Sequence, residues 1–216
     1  MKIIFFDVDG VLNCESTEKG VRSKSHCGSF TGIDKDKVKR LATIVEKTDA
    51  KLVLISDWKI GWEPFKRYDK ALNPHAKYLD DHLKRKGDLY IIDKTVDEEP
   101  DLRGSGIKDW LSRHPDVTDW IVLDDTYFSD YFDSNIVEHL ILTDPMVGLT
   151  DENVESAIKI LNNYEGGQGR WEEIFMFILS KDVKMNGKKL IYSQKRKMDL
   201  KEFRLIAIEI MSFLII

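Results

Sequence analysis

The stretch Ile3-Ile4-Phe5-Phe6-Asp7-Val8-Asp9-Gly10-Val11-Leu12-Asn13 decides how this chain is read. The apolar run Ile3 to Phe6 is short and unbroken, as in a strand buried on both faces of a parallel sheet. Asp7 ends the run, and Asp9 follows after one residue. In open α/β sheets the ligand crevice lies beyond the carboxyl ends of the strands, where these two acids stand. Strand alternation turns both acids one way and Val8 into the core. Two like charges held so close need a proton or a cation. A hard divalent ion such as Mg²⁺ takes carboxylate oxygens and keeps waters that a phosphate can replace. Gly10 lets the backbone turn tightly against a ligand. Asp-X-Asp-Gly also occurs as a plain polar turn, so the rest of the chain has to decide.

Outward from this strand, Asp34 is placed to cap a helix whose Val38, Leu41, Ala42 and Val45 fall at i, i+3, i+4 and i+7. A second strand runs from Lys51 to Ile55, one or two helices fit between Gly61 and Gly87, and Leu89 to Ile92 forms a third strand. Gly104 to His114 reads as helix, with Ile107, Trp110 and Leu111 on one side and Pro115 beyond its end. Trp120 to Leu123 and His139 to Leu142 complete the strands. Thr150 caps a last helix, with Asp151 and Glu152 at its positive end. Strands alternating with helices predict an α/β fold, a doubly wound sheet of five parallel strands. The joint Glu165-Gly166-Gly167-Gln168-Gly169 divides a core over residues 1–164 from a C-terminal extension over residues 165–216.

At 216 residues, 42% hydrophobic and 33% charged, the chain has material for one sizeable domain and an appendage. Neither the short run before Asp7 nor the apolar end, Phe203 to Ile216, is long enough to span a bilayer. No membrane partner is expected. The apolar end suits packing on the core or on a second copy, and the second of these would make a homo-oligomer through the C-terminal segment. Cys14 and Cys27 lack CxxC or zinc spacing, which suits reduced thiols and a cytoplasmic protein. No histidine is placed to activate Cys14 as a nucleophile. The net charge of −5 hides a basic run: between Lys181 and Met198 seven Lys or Arg accompany one acid, a local +6 that leaves −11 elsewhere. Such a run is either a solvated face or a contact for phosphates and nucleic acid.

The polar residues at the other strand ends give the chemistry. The second strand runs straight into Ser56-Asp57-Trp58-Lys59, offering a hydroxyl and backbone N–H groups suited to phosphate oxygens. The fourth runs into Asp124-Asp125, with Asp130 and Asp133 farther on. Arg103 and Gly104 open a helix between them, so a guanidinium and a positive helix terminus could meet the same anion.

In this order, Asp7-Val8-Asp9, Ser56, Arg103 and Asp124-Asp125 resemble the four motifs of the haloacid dehalogenase-like (HAD-like) phosphohydrolases. In detail the chain is similar to the HAD domain of bacterial Swiss Army Knife RNA repair proteins over about residues 1 to 160. Asp-Val-Asp-Gly-Val-Leu-Asn, Ser-Asp-Trp-Lys, Arg-Gly-Ser-Gly-Ile-Lys-Asp-Trp-Leu, Leu-Asp-Asp and Leu-Thr-Asp-Pro-Met-Val-Gly-Leu-Thr carry the likeness. The resemblance implies a Rossmann-like core and a phosphatase. Asp7 would be the nucleophile that forms an aspartyl-phosphate, and Asp9 the acid that protonates the leaving oxygen and then activates water. Mg²⁺ would be held by Asp7, the Asp9 carbonyl and Asp125, with Asp124 a further ligand or an orienting group. Ser56 would hold a phosphate oxygen and Arg103 would neutralise the phosphoryl group. The superfamily more often has lysine there, which leaves Lys108 as the alternative to Arg103.

Cap domains of that superfamily enter after the first or second motif. Here the segment from Asn13 to Ile33 reads as a loop, and Lys59 to Leu102 is used up by core elements, so the core reads as capless or minimally capped. An open site suits a phosphorylated substrate with an exposed end, nucleic acid or nucleotide included. Trp58, Trp62, Tyr68 and Tyr127 either stack on bases or pack in the core. His26, His75, His82, His114 and His139 have no metal-ligand spacing and receive no chemistry. Two other functions compete: a non-catalytic phosphate or RNA-binding module, and a metal-dependent transferase using Asp7 and Asp9 only as ligands. The later Ser, Arg and Asp-Asp order speaks against the transferase, and the absence of GxxxxGK[ST] speaks against a nucleotide kinase.

Overall fold

The computed structural model describes residues 1–15, 17, 32–64, 74–97, 102–133 and 135–162. The chain divides into two units, Met1–Tyr164 and Glu165–Ile216. The C-terminal extension, with its basic run and apolar end, lies outside the described residues, as do residues 16, 18–31, 65–73 and 98–101 of the segments on which the capless reading rests. The described part is a five-stranded parallel sheet flanked by helices. No helix among the described residues is long and apolar enough to cross a membrane.

The strands are β1 (Lys2–Phe6), β2 (Lys51–Leu54), β3 (Ile91–Lys94), β4 (Asp119–Asp124) and β5 (Leu140–Leu142), in the spatial order β3-β2-β1-β4-β5. The helices are α1 (Lys35–Thr48), α2 (Pro74–Gly87), α3 (Arg103–Ser112), the single turn α4 (Asp130–Asp133) and α5 (Asp151–Leu161). β1 is central, flanked by β2 and β4, and its alternate side chains serve two cores. Phe5 meets Trp110 of α3 edge-on, ring centres 5.3 Å apart. Ile4 and Phe6 join the cluster formed with Val38, Leu41 and Ile44 of α1, Leu79 of α2 and Ala157 of α5. This double burial is why the strand reads as one unbroken apolar run.

The capping residues act as their types dictate. The Asp34 side chain accepts from the N–H groups of Asp36 and Lys37 at the start of α1. Thr150 and Asn153 form a reciprocal capping box on α5. β3 begins two residues later than the apolar run Leu89 to Ile92 suggests. Asp88 takes a left-handed turn at φ 51°, and the Leu89 N–H returns to the Leu83 carbonyl, so Leu89 closes α2. The strand then takes in polar Asp93 and Lys94, because β3 is a sheet edge and all its residues are half-buried. Asp93 Oδ2 accepts from the Trp110 indole at 2.7 Å and Lys94 Nζ donates to the Trp62 carbonyl at 2.6 Å, so both polar side chains are satisfied there.

The order of connection reverses at β1. The chain passes from β1 to β2 and β3 on one side, then crosses to β4 and β5 on the other. The crevice beyond the ends of β1 and β4 is the switch point at which such sheets bind ligands.

Candidate active site

Asp7 extends the β1–β4 pairing by one residue, its N–H donating to the Leu123 carbonyl at 2.9 Å. This places its carboxylate beside Asp124, the last residue of β4, and Asp125 just beyond it. Ligand oxygens of Asp7, Asp124 and Asp125 lie within 4.8 Å of one another, a group that could hold a metal ion. Val8 is fully buried between the two acids of the first motif, whereas the Asp9 side chain is exposed. Gly10 has φ 68°, and a Cβ there would run into the Asp125 carboxylate, so glycine is required both by conformation and by space.

Arg103 stands at the first position of α3 and reaches both acids with one nitrogen. Nη1 donates to Asp7 Oδ2 at 3.0 Å and to Asp124 Oδ2 at 2.8 Å. Its guanidinium carbon lies 4.4 Å from the centre of the Phe128 ring. Burial alone would lower the Arg103 guanidinium's affinity for its proton, but the charges of Asp7 and Asp124 outweigh it and the shift is upward. Lys108, the alternative in sequence, is exposed on the same helix. α3 has no side-chain cap of its own, since Leu102 occupies that position. Asp130 supplies one from the start of α4, its Oδ2 accepting from the Ser105 N–H at 2.8 Å.

Two carboxylates therefore share one guanidinium, and a third, Asp125, offers an oxygen within 4.8 Å of theirs. Burial, then the Asp7 charge, pushes Asp124 up to about 7 against the pull of Arg103, and the same two causes raise Asp125. Protein donors hold both oxygens of Asp124: Oδ2 also takes the Tyr131 hydroxyl at 2.7 Å, and Oδ1 takes the Thr126 N–H at 2.9 Å. Negative charge in excess of the neighbouring cation, on hard oxygen ligands, is the donor set that a hard divalent cation fits.

Ser56 follows β2, adjacent to β1, and caps the 3-10 turn Asp57–Lys59. Its Oγ accepts from the Trp58 N–H, which leaves the hydroxyl proton to be donated. Lys59, one residue on, is buried, and its ammonium is used up by the Ile55 carbonyl, Thr95 Oγ1 and Asp97. Trp58 and Trp62 are core residues, 7% and 2% exposed, so neither presents a face for stacking. Trp58 instead donates its indole N–H to Asp9 Oδ2 at 2.9 Å. Tyr68 lies outside the described residues.

The structure thus brings Asp7, Arg103, Asp124 and Asp125 into direct contact or close approach, and ties Asp9 to the turn that Ser56 caps. Sequence reading missed Tyr131 and Phe128. It also missed the partners of Asp9, although Asn13 and Trp58 both lie inside the stretches that carried the resemblance.

A central acid-bearing strand, a second acid pair on its neighbour and a basic residue between them define a HAD-like α/β domain. A family model described as the HAD domain in Swiss Army Knife RNA repair proteins matches residues 3–154, and the chain belongs to that family. Neither the curated proteins nor the solved structures gave a match. Membership points to a phosphohydrolase type of function.

Proposed function

We propose that this chain is a Mg²⁺-dependent phosphohydrolase that cleaves a phosphate monoester through an aspartyl-phosphate on Asp7. The observation that supports this best is the Arg103 bridge: a buried guanidinium joins Asp7 to Asp124 while Asp125 closes the carboxylate group. Asp7 attacks phosphorus as the bond to the leaving oxygen breaks, and Asp9 gives that oxygen a proton. Asp9 then takes a proton from water, which attacks phosphorus, breaks the bond to Asp7 and releases inorganic phosphate. Ser56 donates its hydroxyl to a phosphoryl oxygen. Arg103 holds the Asp7 carboxylate in place through its Nη1, and its positive charge faces the developing negative charge.

Asp7, Asp125 and the Asp9 carbonyl would hold the ion, with Asp124 behind them, its oxygens already engaged by Arg103, Tyr131 and Thr126. Mg²⁺ bound there supplies charge neutralisation between the carboxylates and an incoming phosphate dianion. The family's occurrence in RNA repair proteins makes a 3′- or 5′-phosphate end of RNA the first substrate to try.

The test is phosphate release by wild type and Asp7→Asn, with and without Mg²⁺, on an aryl phosphate and on 3′- and 5′-phosphorylated oligonucleotides. Magnesium-dependent release that disappears in a folded Asp7→Asn protein is expected. Undiminished release by Asp7→Asn would remove Asp7 as nucleophile, and silence of the wild type on every substrate would favour a phosphate-binding module.

A further inference from the structure

Resting on the phosphohydrolase reading, we propose that Trp58 and Asn13 are positioning residues for Asp9, holding the carboxyl that serves the leaving oxygen. Both of its oxygens are engaged: Oδ2 accepts from Trp58 Nε1 at 2.9 Å and Oδ1 accepts from Asn13 Nδ2 at 2.7 Å. An exposed aspartate otherwise samples several rotamers, and two donors fixed on opposite sides select one. A proton donor has to stand within hydrogen-bond reach of the leaving oxygen, so selecting its rotamer acts on the chemical step itself.

The two donors are themselves fixed. Asn13 Oδ1 accepts the Gly10 N–H at 2.9 Å, so turning the amide over would lose both of its bonds. Trp58 packs against His75 and Tyr78 of α2, ring centres 5.4 and 6.4 Å away. A buried indole N–H needs some acceptor, and a backbone carbonyl would satisfy it. Here the acceptor is the second acid of the Asp-X-Asp pair, on the neighbouring strand's loop 49 residues away in sequence. Ser56 caps the same short turn, so the hydroxyl for the phosphoryl group and the N–H for the acid sit two residues apart on one element. The spacing between phosphate and proton donor is therefore built into one turn.

Two variants and two substrates test this. Trp58→Phe removes the indole N–H and keeps a ring against α2. Asn13→Ala removes the donor to Asp9, together with the acceptor of the Gly10 N–H, and adds no second carboxyl beside the acid. 4-Nitrophenyl phosphate releases a stable anion that leaves without a proton, whereas benzyl phosphate, of similar size, releases an alkoxide that needs one. The parameter is kcat/KM, which covers the steps up to departure of the leaving group. General-acid catalysis supplies about 10²–10⁴-fold, so each folded variant should lose about 10-fold or more on benzyl phosphate and less than about threefold on 4-nitrophenyl phosphate. Equal losses on the two substrates would overturn the inference and leave both residues a packing role. Failure of the wild type with Mg²⁺ on both of these and on the 3′- and 5′-phosphorylated oligonucleotides would instead sink the phosphohydrolase reading, and the inference with it.

Discussion

Tyr131 donates its hydroxyl to Asp124 Oδ2 at 2.7 Å, and that oxygen is the one Arg103 grips at 2.8 Å. A neutral donor and a cation thus converge on one carboxylate oxygen, and both Tyr131 and Asp124 are fully buried. The acid is locked in place before any ligand arrives. Tyr131→Phe removes the neutral donor and changes almost no volume. Because a hydrogen bond to a charged group contributes about 1.5–3 kcal/mol, urea denaturation at a pH above about 7, where Asp124 is ionised, should show a loss of that size. An unchanged midpoint would mean that Arg103 alone holds Asp124.

Arg103 and Lys108 give opposite outcomes. Arg103→Met leaves Asp7 and Asp124 buried without their shared cation, and breaking a buried pair from one side costs about 3–5 kcal/mol. Turnover should vanish with it. Arg103→Lys keeps the charge but loses the planar contact with Phe128 and should fall between wild type and Arg103→Met in both stability and kcat/KM. Lys108→Met changes an exposed side chain and should leave stability within about 0.5 kcal/mol and turnover intact. Loss of activity in Lys108→Met would reverse the assignment of the basic residue.

The raised acids predict a pH dependence with a definite sign. Burial and the Asp7 charge lift Asp124 from 3.8 to about 7, so in this window the folded state holds a proton that the unfolded chain has released. Stability from this source is complete below the ordinary carboxylate range and is lost as pH rises towards about 7. The metal-free melting temperature should therefore fall across this range, by roughly 2–4 °C for each kcal/mol lost. Mg²⁺ should restore it most strongly at the alkaline end, because the ion takes the place of the proton. Thermal melts in chelator and in Mg²⁺ measure both slopes. A metal-free melting temperature that climbs through this window would contradict the account.

The parts legible in sequence are those where a doubly buried strand meets polar residues. Phe6 to Asp7, Ile55 to Ser56 and Leu123 to Asp124 are abrupt changes from apolar to polar, and they mark strand ends without any knowledge of pairing. β3 lies two residues beyond its apolar run because an edge strand need not be apolar: Asp93 and Lys94 are satisfied by Trp110 and by the Trp62 carbonyl. Tyr131 and Phe128 gave no signal, since they act from a loop and a single helical turn, where no periodicity applies. Trp58 was read for what its ring could do. Its N–H reaches Asp9 only because β1 and β2 pair with Phe6 beside Leu54, a register that no single-sequence pattern reveals.

The central position of β1 has a consequence for how the protein is made. The strand that carries Asp7 is made before the other four strands of the sheet, yet one of its two partners, β4, ends at Asp124. Until that stretch emerges, an apolar edge stands open beside the unpaired acid, inviting the wrong neighbour. Pairing with β4 closes the edge and delivers Asp124 and Asp125 in the same event. On the reading of function given above, catalytic competence would then appear only at a late stage of translation, and a truncated nascent chain ending before Asp124 would be inert.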